Sequence, residues 1–277
     1  MSEFSKVSDV ITQIPSREEI ELFAKLSFRE RRQIIIDIEN EVKGNLNEID
    51  GYNCELCKNR GHIWKLNDDD MDTRVDCKCK TVRATLARAK RSGLGDIITE
   101  YTFDKYEDTE DWQKHIKSKA KAFCQDDKAK WFCIGGQVGC GKTHICTAIA
   151  AHYIKAGYEV KYMLWSKEAK QLKQLANDIR YQELINPIKE AKVLYIDDFL
   201  KVQNGEAPTA GDINVAFEII NERLLSSDKI TIISSEKTMD EIIDYDEALM
   251  SRMFHQAGDY KLNIEKNRDR NYRLRTS

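Results

Sequence analysis

The sequence predicts an α/β fold, a parallel sheet flanked by helices, preceded by a small helical and metal-binding segment. Three observations carry this expectation. A glycine-rich loop, Gly136-Gln137-Val138-Gly139-Cys140-Gly141-Lys142-Thr143, has the spacing G-x-x-x-x-G-K-[ST]. From that loop onward, apolar strand-like runs alternate with helical patterns, and such alternation builds parallel sheets. Upstream, two close cysteine pairs stand apart from everything that follows.

The loop is the most informative stretch. Its glycines let backbone N–H groups close around phosphates, Lys142 supplies a point charge for the β/γ oxygens, and the Thr143 hydroxyl can ligate Mg²⁺. A chance glycine turn would need no particular flanks. Here Trp131-Phe132-Cys133-Ile134 reads as a buried strand before the loop, and Thr143 to Ala156 reads as a helix after it. The helix N-terminus adds its positive dipole to the phosphate site.

Composition bounds the alternatives. A chain of 277 residues has room for two domains and a real core. A net charge of -3 gives no global sign of a nucleic-acid partner, so any basic surface must be local. Met1 to Lys6 carries an early acid and no apolar h-region, and no run of about 18 apolar residues occurs. The expectation is a cytoplasmic protein with no membrane association. In a reducing compartment the eight cysteines are not disulfides, and clustered ones are metal ligands.

Taken in order, Ser16-Arg17-Glu18-Glu19 and Ser27-Phe28-Arg29-Glu30 both match a capping box, so two helices should start there. The second carries Ile34, Ile35, Ile38 and Val42 at helical spacing, with Gly44 as its expected C-cap. This hairpin either packs on its neighbour or docks a partner. Next, Cys54, Cys57, Cys77 and Cys79 can place four thiolates around one Zn²⁺ as a ribbon of two knuckles, with His62 as a substitute ligand should one cysteine not reach. A closed four-cysteine site leaves no open position, so this zinc is structural. Cys124, Cys133, Cys140 and Cys146 stand in helix, core or loop contexts and carry no such pattern. Lys78, Lys80, Arg83, Arg88, Lys90 and Arg91 make a basic stretch suited either to phosphate or to a solvated helix face. A boundary is expected near Ser92-Gly93-Leu94-Gly95, giving domains of residues 1–100 and 101–277.

A helix from Thr109 to Gln125 with Trp112, Ile116 and Phe123 on one side leads into the phosphate-loop strand. Glu159 to Trp165 is the next strand, Ser166 to about Leu184 a charged helix, and Asn186-Pro187 the start of a short one, Asn186 as N-cap. Val193-Leu194-Tyr195-Ile196-Asp197-Asp198-Phe199 is an apolar strand ending in two carboxylates. An acid at that end reaches the Mg²⁺ shell, the role given to Asp197, while Asp198 can orient or deprotonate an attacking water. After a loop with Gly205, Pro208 and Gly211 comes a helix through Ala216 and Ile220, then the strand Thr231 to Glu236, which ends in polar side chains able to sense the γ-phosphate. Asp246 to Met253 puts Arg252 on a short helix, Tyr260 to Ile264 is the last strand, and Lys266 to Arg275 is a basic tail.

The ordered set C-x-x-C…C-x-C, GGQVGCGKTH, VLYIDDF, IISSEKT, DEALMSRMF and RNYRL resembles the DnaC/DnaI-type replicative-helicase loaders, especially those carried by phages, over about residues 50–275. The resemblance implies an AAA+ ATPase core with strand order 5-1-4-3-2 and no C-terminal helical lid. It further implies ATP and Mg²⁺ as ligands beside the Zn²⁺, self-assembly on a hexameric replicative helicase, and delivery of that helicase to single-stranded DNA in a bacterial host cell. By position, Gly136 to Thr143 with the following His144 would be Walker A, and Asp197 and Asp198 Walker B. Ser235, or else Glu236, would be sensor 1, and Arg252 the arginine finger. Asp198 replaces the more usual glutamate, which implies slow hydrolysis stimulated by assembly. The zinc-bearing part would hold the helicase.

Two other functions share these motifs. One is a transposition helper ATPase, and the N-terminal cysteine segment argues against it. The other is an adaptor in which ATP locks a conformation without significant hydrolysis. No N-K-x-D guanine-reading sequence occurs, which disfavours a GTPase, and one motor core disfavours a helicase.

Overall fold

The computed structural model of the protein describes residues 17–202 and 206–274. The expected cap at Ser16, the loop glycine Gly205 and the end of the tail at Arg275 lie outside the described residues. The chain divides into two compact units between Ala87 and Arg88, ahead of the Ser92–Gly95 stretch where composition alone placed a boundary.

In the first unit, helices α1 (Arg17–Lys25), α2 (Phe28–Glu41) and α3 (Leu46–Asp50) precede an antiparallel ribbon, β1 (His62–Leu66) with β2 (Asp72–Asp76). The Ser27 capping box forms as expected: Ser27 accepts from the Glu30 N–H and Glu30 from the Ser27 N–H. At the other end of α2 the expectation fails. The helix stops at Val42 in an extended conformation, and Arg60 supplies the cap, its guanidinium donating to the carbonyls of Glu39 (2.6 Å) and Asn40 (3.2 Å). Gly44 is glycine for a different reason: a Cβ there would run into the Asn59 backbone. Within α2 it is Ile36, not Ile35, that is fully buried. Asn40 fastens the helix to the ribbon by exchanging two 2.9 Å hydrogen bonds with the Trp64 backbone, as a neighbouring strand would.

Helix α4 (Cys79–Ser92) follows the ribbon, then α5 (Ile97–Glu100) and α6 (Asp111–Gln125). Much of the basic stretch on α4 is committed to local partners: Lys80 to Asp76, Arg83 to Asp50, Tyr52 and Asn59, and Arg91 to Glu159.

The second unit is built on five parallel strands: β3 (Trp131–Gly136), β4 (Val160–Leu164), β5 (Val193–Asp197), β6 (Ile230–Ser235) and β7 (Lys261–Ile264). Their order is β4-β5-β6-β3-β7, which is the 5-1-4-3-2 arrangement when these strands are counted from the phosphate loop. Alternation along each strand sends side chains to two cores. Phe132, Ile134, Tyr195 and Ile232 meet α6 and α7 (Lys142–Lys155) on one face. Cys133, Leu194, Ile196 and Ile233 meet the opposite layer: α8 (Trp165–Gln174), α9 (Arg180–Glu190), α10 (Ala210–Leu224), α11 (Met239–Ile243) and α12 (Glu247–Ala257).

The expected helix from Ser166 to Leu184 is broken, and the break falls earlier than Asn186. Helix α8 ends at Gln174, α9 begins at Arg180, and Pro187 lies inside α9. The N-cap of α9 is Ile179, which has no side-chain bond to offer; Asp178 before it accepts from the Arg180 N–H at 2.9 Å and clamps the Arg180 guanidinium. A proline in the last turn of a helix removes one ladder bond near an end that is already frayed. The carbonyls of that end are taken up by Arg223, which is fully buried and donates to Ile188, Lys189 and Ala191, to Ile230 on β6, and to Thr231 Oγ1.

Candidate nucleotide-binding site and metal centre

Parallel sheets place ligands at the carboxyl ends of their strands. The ends of β3, β5 and β6 converge here on a cavity of about 290 Å³. Its wall includes Val138 to His144 of the loop, Asp198, Glu236, and Tyr101 and Tyr106 from the segment before α6.

The loop conformation depends on its glycines. Gly136, Gly139 and Gly141 have φ of 114°, 73° and 91°, a region closed to most L side chains. At Gly136 a Cβ would overlap the Ile264 carbonyl of the neighbouring strand. The Gln137 N–H donates to that same carbonyl at 3.1 Å, which fixes the loop to β7. Lys142 is 6 % exposed and its Nζ donates to the carbonyls of Gly136 (2.9 Å) and Gln137 (2.6 Å). The ammonium is thus held over the loop by neutral acceptors that a phosphate can replace.

Thr143 and Asp197 meet as a Mg²⁺ pair requires. Thr143 Oγ1 donates to Asp197 Oδ1 at 3.1 Å, Tyr162 donates to Oδ2 at 3.2 Å, and Ser234 also donates to Oδ1. Burial and the adjacent Asp197 charge push the Tyr162 hydroxyl well above its ordinary range, so it remains a donor at neutral pH. The donor set and the left-handed glycines fit a Mg²⁺-nucleotide, with Lys142 toward the phosphates and Thr143 with Asp197 toward the metal.

Ser235 does not take part. It is fully buried and donates to the Phe199 carbonyl at 2.9 Å, away from the cavity. Its neighbours do: Ser234 bridges Asp197 and the Asp198 N–H, and Glu236 lines the wall. Strand alternation could have separated them, because Ser234 shares a face with Ile232, which points toward α7 as Tyr195 does. Arg252 lies elsewhere, exposed on α12, donating to the Ala248 carbonyl (3.1 Å) and to Asn221 (3.4 Å). Cys140 is buried in the loop against the Gln137 carbonyl, and burial pushes its thiol up. His144 Nε2 donates to the Thr102 carbonyl (2.8 Å), and the ring stacks on Tyr101. Burial pulls its pKa down against that hydrogen bond.

The basic tail forms two short turns, Arg268–Arg270 and Tyr272–Leu274, laid over the loop. Asn267 N–H donates to Gln137 Oε1 (2.9 Å), Tyr272 N–H to the Gly139 carbonyl (3.0 Å), and Gln113 to the Tyr272 hydroxyl (2.6 Å). Tyr272 and Arg273 thereby become part of the cavity wall. Sequence reading did not assign them to the site.

In the first unit, Cys54, Cys57, Cys77 and Cys79 come together, all buried, with their sulfurs within 4.8 Å of one another. The Cys54–Cys77 and Cys57–Cys79 separations are 3.8 and 3.6 Å. Tetrahedral zinc with bonds of ~2.3 Å sets sulfurs about 3.8 Å apart, whereas a disulfide needs about 2.05 Å. The Gly61 N–H donates to Cys57 Sγ at 3.2 Å, as thiolate ligands require. His62 is not in the group: its Nδ1 meets the Arg60 carbonyl at 3.1 Å. The four cysteines are compatible with one zinc ion.

Strand order, loop and facing acids define an ATP-binding domain of the AAA+ type. A family model described as IstB-like ATP binding protein matches residues 72–277, and the chain belongs to that family. It is similar to the phage-like element PBSX protein XkdC of Bacillus subtilis, 26% identical over 86% of this chain and 90% of that one. A second B. subtilis relative, YqaM, is 38% identical, but the match spans 50% of this chain and 44% of that protein. Among solved structures, the DnaC helicase loader aligns with a TM-score of 0.50 at 17% identity, covering 62% of this chain and all of that one. DnaI aligns with a TM-score of 0.50 at 20% identity, covering 61% and 92%. At these identities the structures speak for the fold. No described helix is long and apolar enough to cross a membrane.

Proposed function

We propose that the protein is an ATP-dependent loader that delivers a hexameric replicative helicase to single-stranded DNA. The observation that carries an ATP-driven reading is the meeting of Lys142, Thr143 and Asp198 on the wall of one cavity, with Asp197 directly behind it, held by Thr143 at 3.1 Å. The loader reading draws on the near full-length similarity to a phage-element protein and on the fold shared with DnaC and DnaI. The family match begins at residue 72, so Cys54 and Cys57 lie ahead of it. A metal-held unit added to the ATPase suits an adaptor that grips a helicase, and it disfavours the transposition helper.

In this reading bound ATP and Mg²⁺ supply the phosphoanhydride to be cleaved and the charge that neutralises it. Lys142 orients the β- and γ-phosphates, Thr143 and Asp197 hold the metal, and Asp198 faces the position of an attacking water. Arg252, exposed and not part of the wall of its own cavity, serves the site of a neighbouring copy. The site is then complete only in an assembly on the helicase, and hydrolysis is slow in the free protein.

Recovery of a hexameric helicase by the tagged chain from its host, with ATPase activity that Lys142→Ala abolishes, is the expected result. Arg252→Ala and Lys142→Ala, each inactive alone, should regain partial activity when mixed, because one supplies an intact phosphate site and the other an intact finger. A mixture as inactive as its parts, where wild type assembles and turns over, would refute action between subunits. Turnover absent even with helicase and DNA would leave the ATP-locked adaptor.

A further inference from the structure

Lys201 stands behind the part of the cavity wall formed by Asp198 and Glu236. Its Nζ lies 2.9 Å from Asp198 Oδ2 and 2.7 Å from Glu236 Oε1. Both carboxylates line the cavity, while Lys201 does not. The chain after β5 turns sharply to bring it there. Asp198 and Leu200 are both left-handed, with φ of 55° and 58°, and Phe199 between them is fully buried with its N–H bonded to the Ser234 carbonyl at 2.8 Å. Two left-handed non-glycine residues in three are strained, and such strain persists where surrounding packing over-determines it. Its outcome is that Asp198 and Lys201 face Glu236 from the next strand.

The charges explain why that matters. Asp197, Asp198 and Glu236 put three acids at the end of the site where a triphosphate is most negative. Asp197 is engaged by three hydroxyls, and Lys142 is bonded to loop carbonyls rather than to either remaining acid. Among the described residues the ion pairs of Asp198 and Glu236 are with Lys201. Like charges brought together in a partly desolvated site oppose binding strongly. All three partners remain partly exposed, so the pairs themselves add little to folding. Their effect is on what can lie next to them.

We propose that Lys201 is a positioning residue that clamps Asp198 and Glu236 together, neutralising the pair so that a nucleoside triphosphate can occupy the cavity and fixing Asp198 toward the γ-phosphate. Glu236, in this arrangement, is the anchor of the clamp. The proposal rests on the ATP-site reading above.

The test is equilibrium binding of fluorescently labelled ATP and ADP, with Mg²⁺, to the full chain. Lys201→Met should weaken ATP about tenfold or more and ADP distinctly less, because the γ-phosphate brings the charge nearest the two acids. Glu236→Gln in the Lys201→Met background should recover most of the loss, and Lys201→Arg should stay within about threefold of wild type, since it keeps the charge. Equal losses for ATP and ADP, or no recovery in the double variant, would assign Lys201 to local folding alone and overturn the proposal. Unchanged affinity in Lys201→Met overturns it too. A wild-type chain that binds neither nucleotide overturns the site reading and the clamp with it.

Discussion

Replacing Arg223 by methionine sets two large effects against each other. Burial pulls the guanidinium down to about 10, so keeping it charged inside the sheet layer costs on the order of 3 kcal/mol at neutral pH. Methionine removes that cost. It also orphans the carbonyls of Ile188, Lys189, Ala191 and Ile230 and the Thr231 hydroxyl, which lie 2.6 to 3.4 Å from the guanidinium. Bonds from a charged donor contribute about 1.5–3 kcal/mol each. Nη1 has two hydrogens for the carbonyls of Ile188, Lys189 and Ala191, so the five contacts amount to about four full bonds, which even at the low end exceed the desolvation cost by about 3 kcal/mol. The acceptors are mostly backbone and cannot be mutated away with the arginine, unlike buried ion pairs that can be replaced wholesale by apolar residues. Arg223→Met should therefore lower the urea midpoint by an amount equivalent to about 3 kcal/mol with the m-value unchanged. The arginine is protonated in both folded and unfolded chains below about pH 10, so this loss should be flat from pH 6 to 8. A loss under about 1 kcal/mol would show that the end of α9 is satisfied some other way, and the argument would fail.

Metal analysis should find about one zinc per chain, and chelation or Cys77→Ser should unfold the first unit, since structural zinc contributes on the order of 10 kcal/mol to small domains; a folded, metal-free unit by circular dichroism would remove the assignment. Gly139→Ala forces a left-handed alanine, a cost of ~1–2 kcal/mol, and drives a methyl into the Asn271 side chain. Nucleotide affinity should fall tenfold or more by titration, and a variant that binds normally would mean the tail does not rest on the loop. Lys192 and Ser226 hold the exposed Asp228 carboxyl down at about 2. Its contribution is thus present above about pH 4 and lost as pH falls toward 2, so Asp228→Asn should flatten the acid side of the stability curve in that window. An unchanged acid limb in thermal melts would count against the pairing.

What could be read from the sequence was whatever its chemistry confines to neighbouring residues. The phosphate loop needs glycine, lysine and threonine at fixed offsets whatever surrounds them. Cys54 with Cys57 and Cys77 with Cys79 declare themselves because their spacing suits four ligands to one metal ion. The α2 start was legible for the same reason, since Ser27 and Glu30 answer each other within one turn. Its end was not, because the cap comes from Arg60, nineteen positions beyond the last helical residue. Asn186-Pro187 misled because proline at a helix start and proline in a last turn look alike until the final carbonyls of the helix are seen to meet Arg223. The sequence reading names Ser235, or else Glu236, where the two-residue period of a strand points to Ser234. Tyr272 and Arg273 gave no local signal, since what places them is the docking of the tail on Gly139.

That docking has a consequence for the timing of synthesis. The cavity draws on Tyr101, the loop at 138–144, Asp198, Glu236 and finally Tyr272 and Arg273. Domains fold as units while the chain is being made, yet the last two of these wall residues leave the ribosome after every strand of the sheet. A nascent chain can therefore assemble β3 to β6 around an open pocket and still lack its closing wall. The cavity gains its last wall late, once the segment beyond β7 is free to fold back onto the loop.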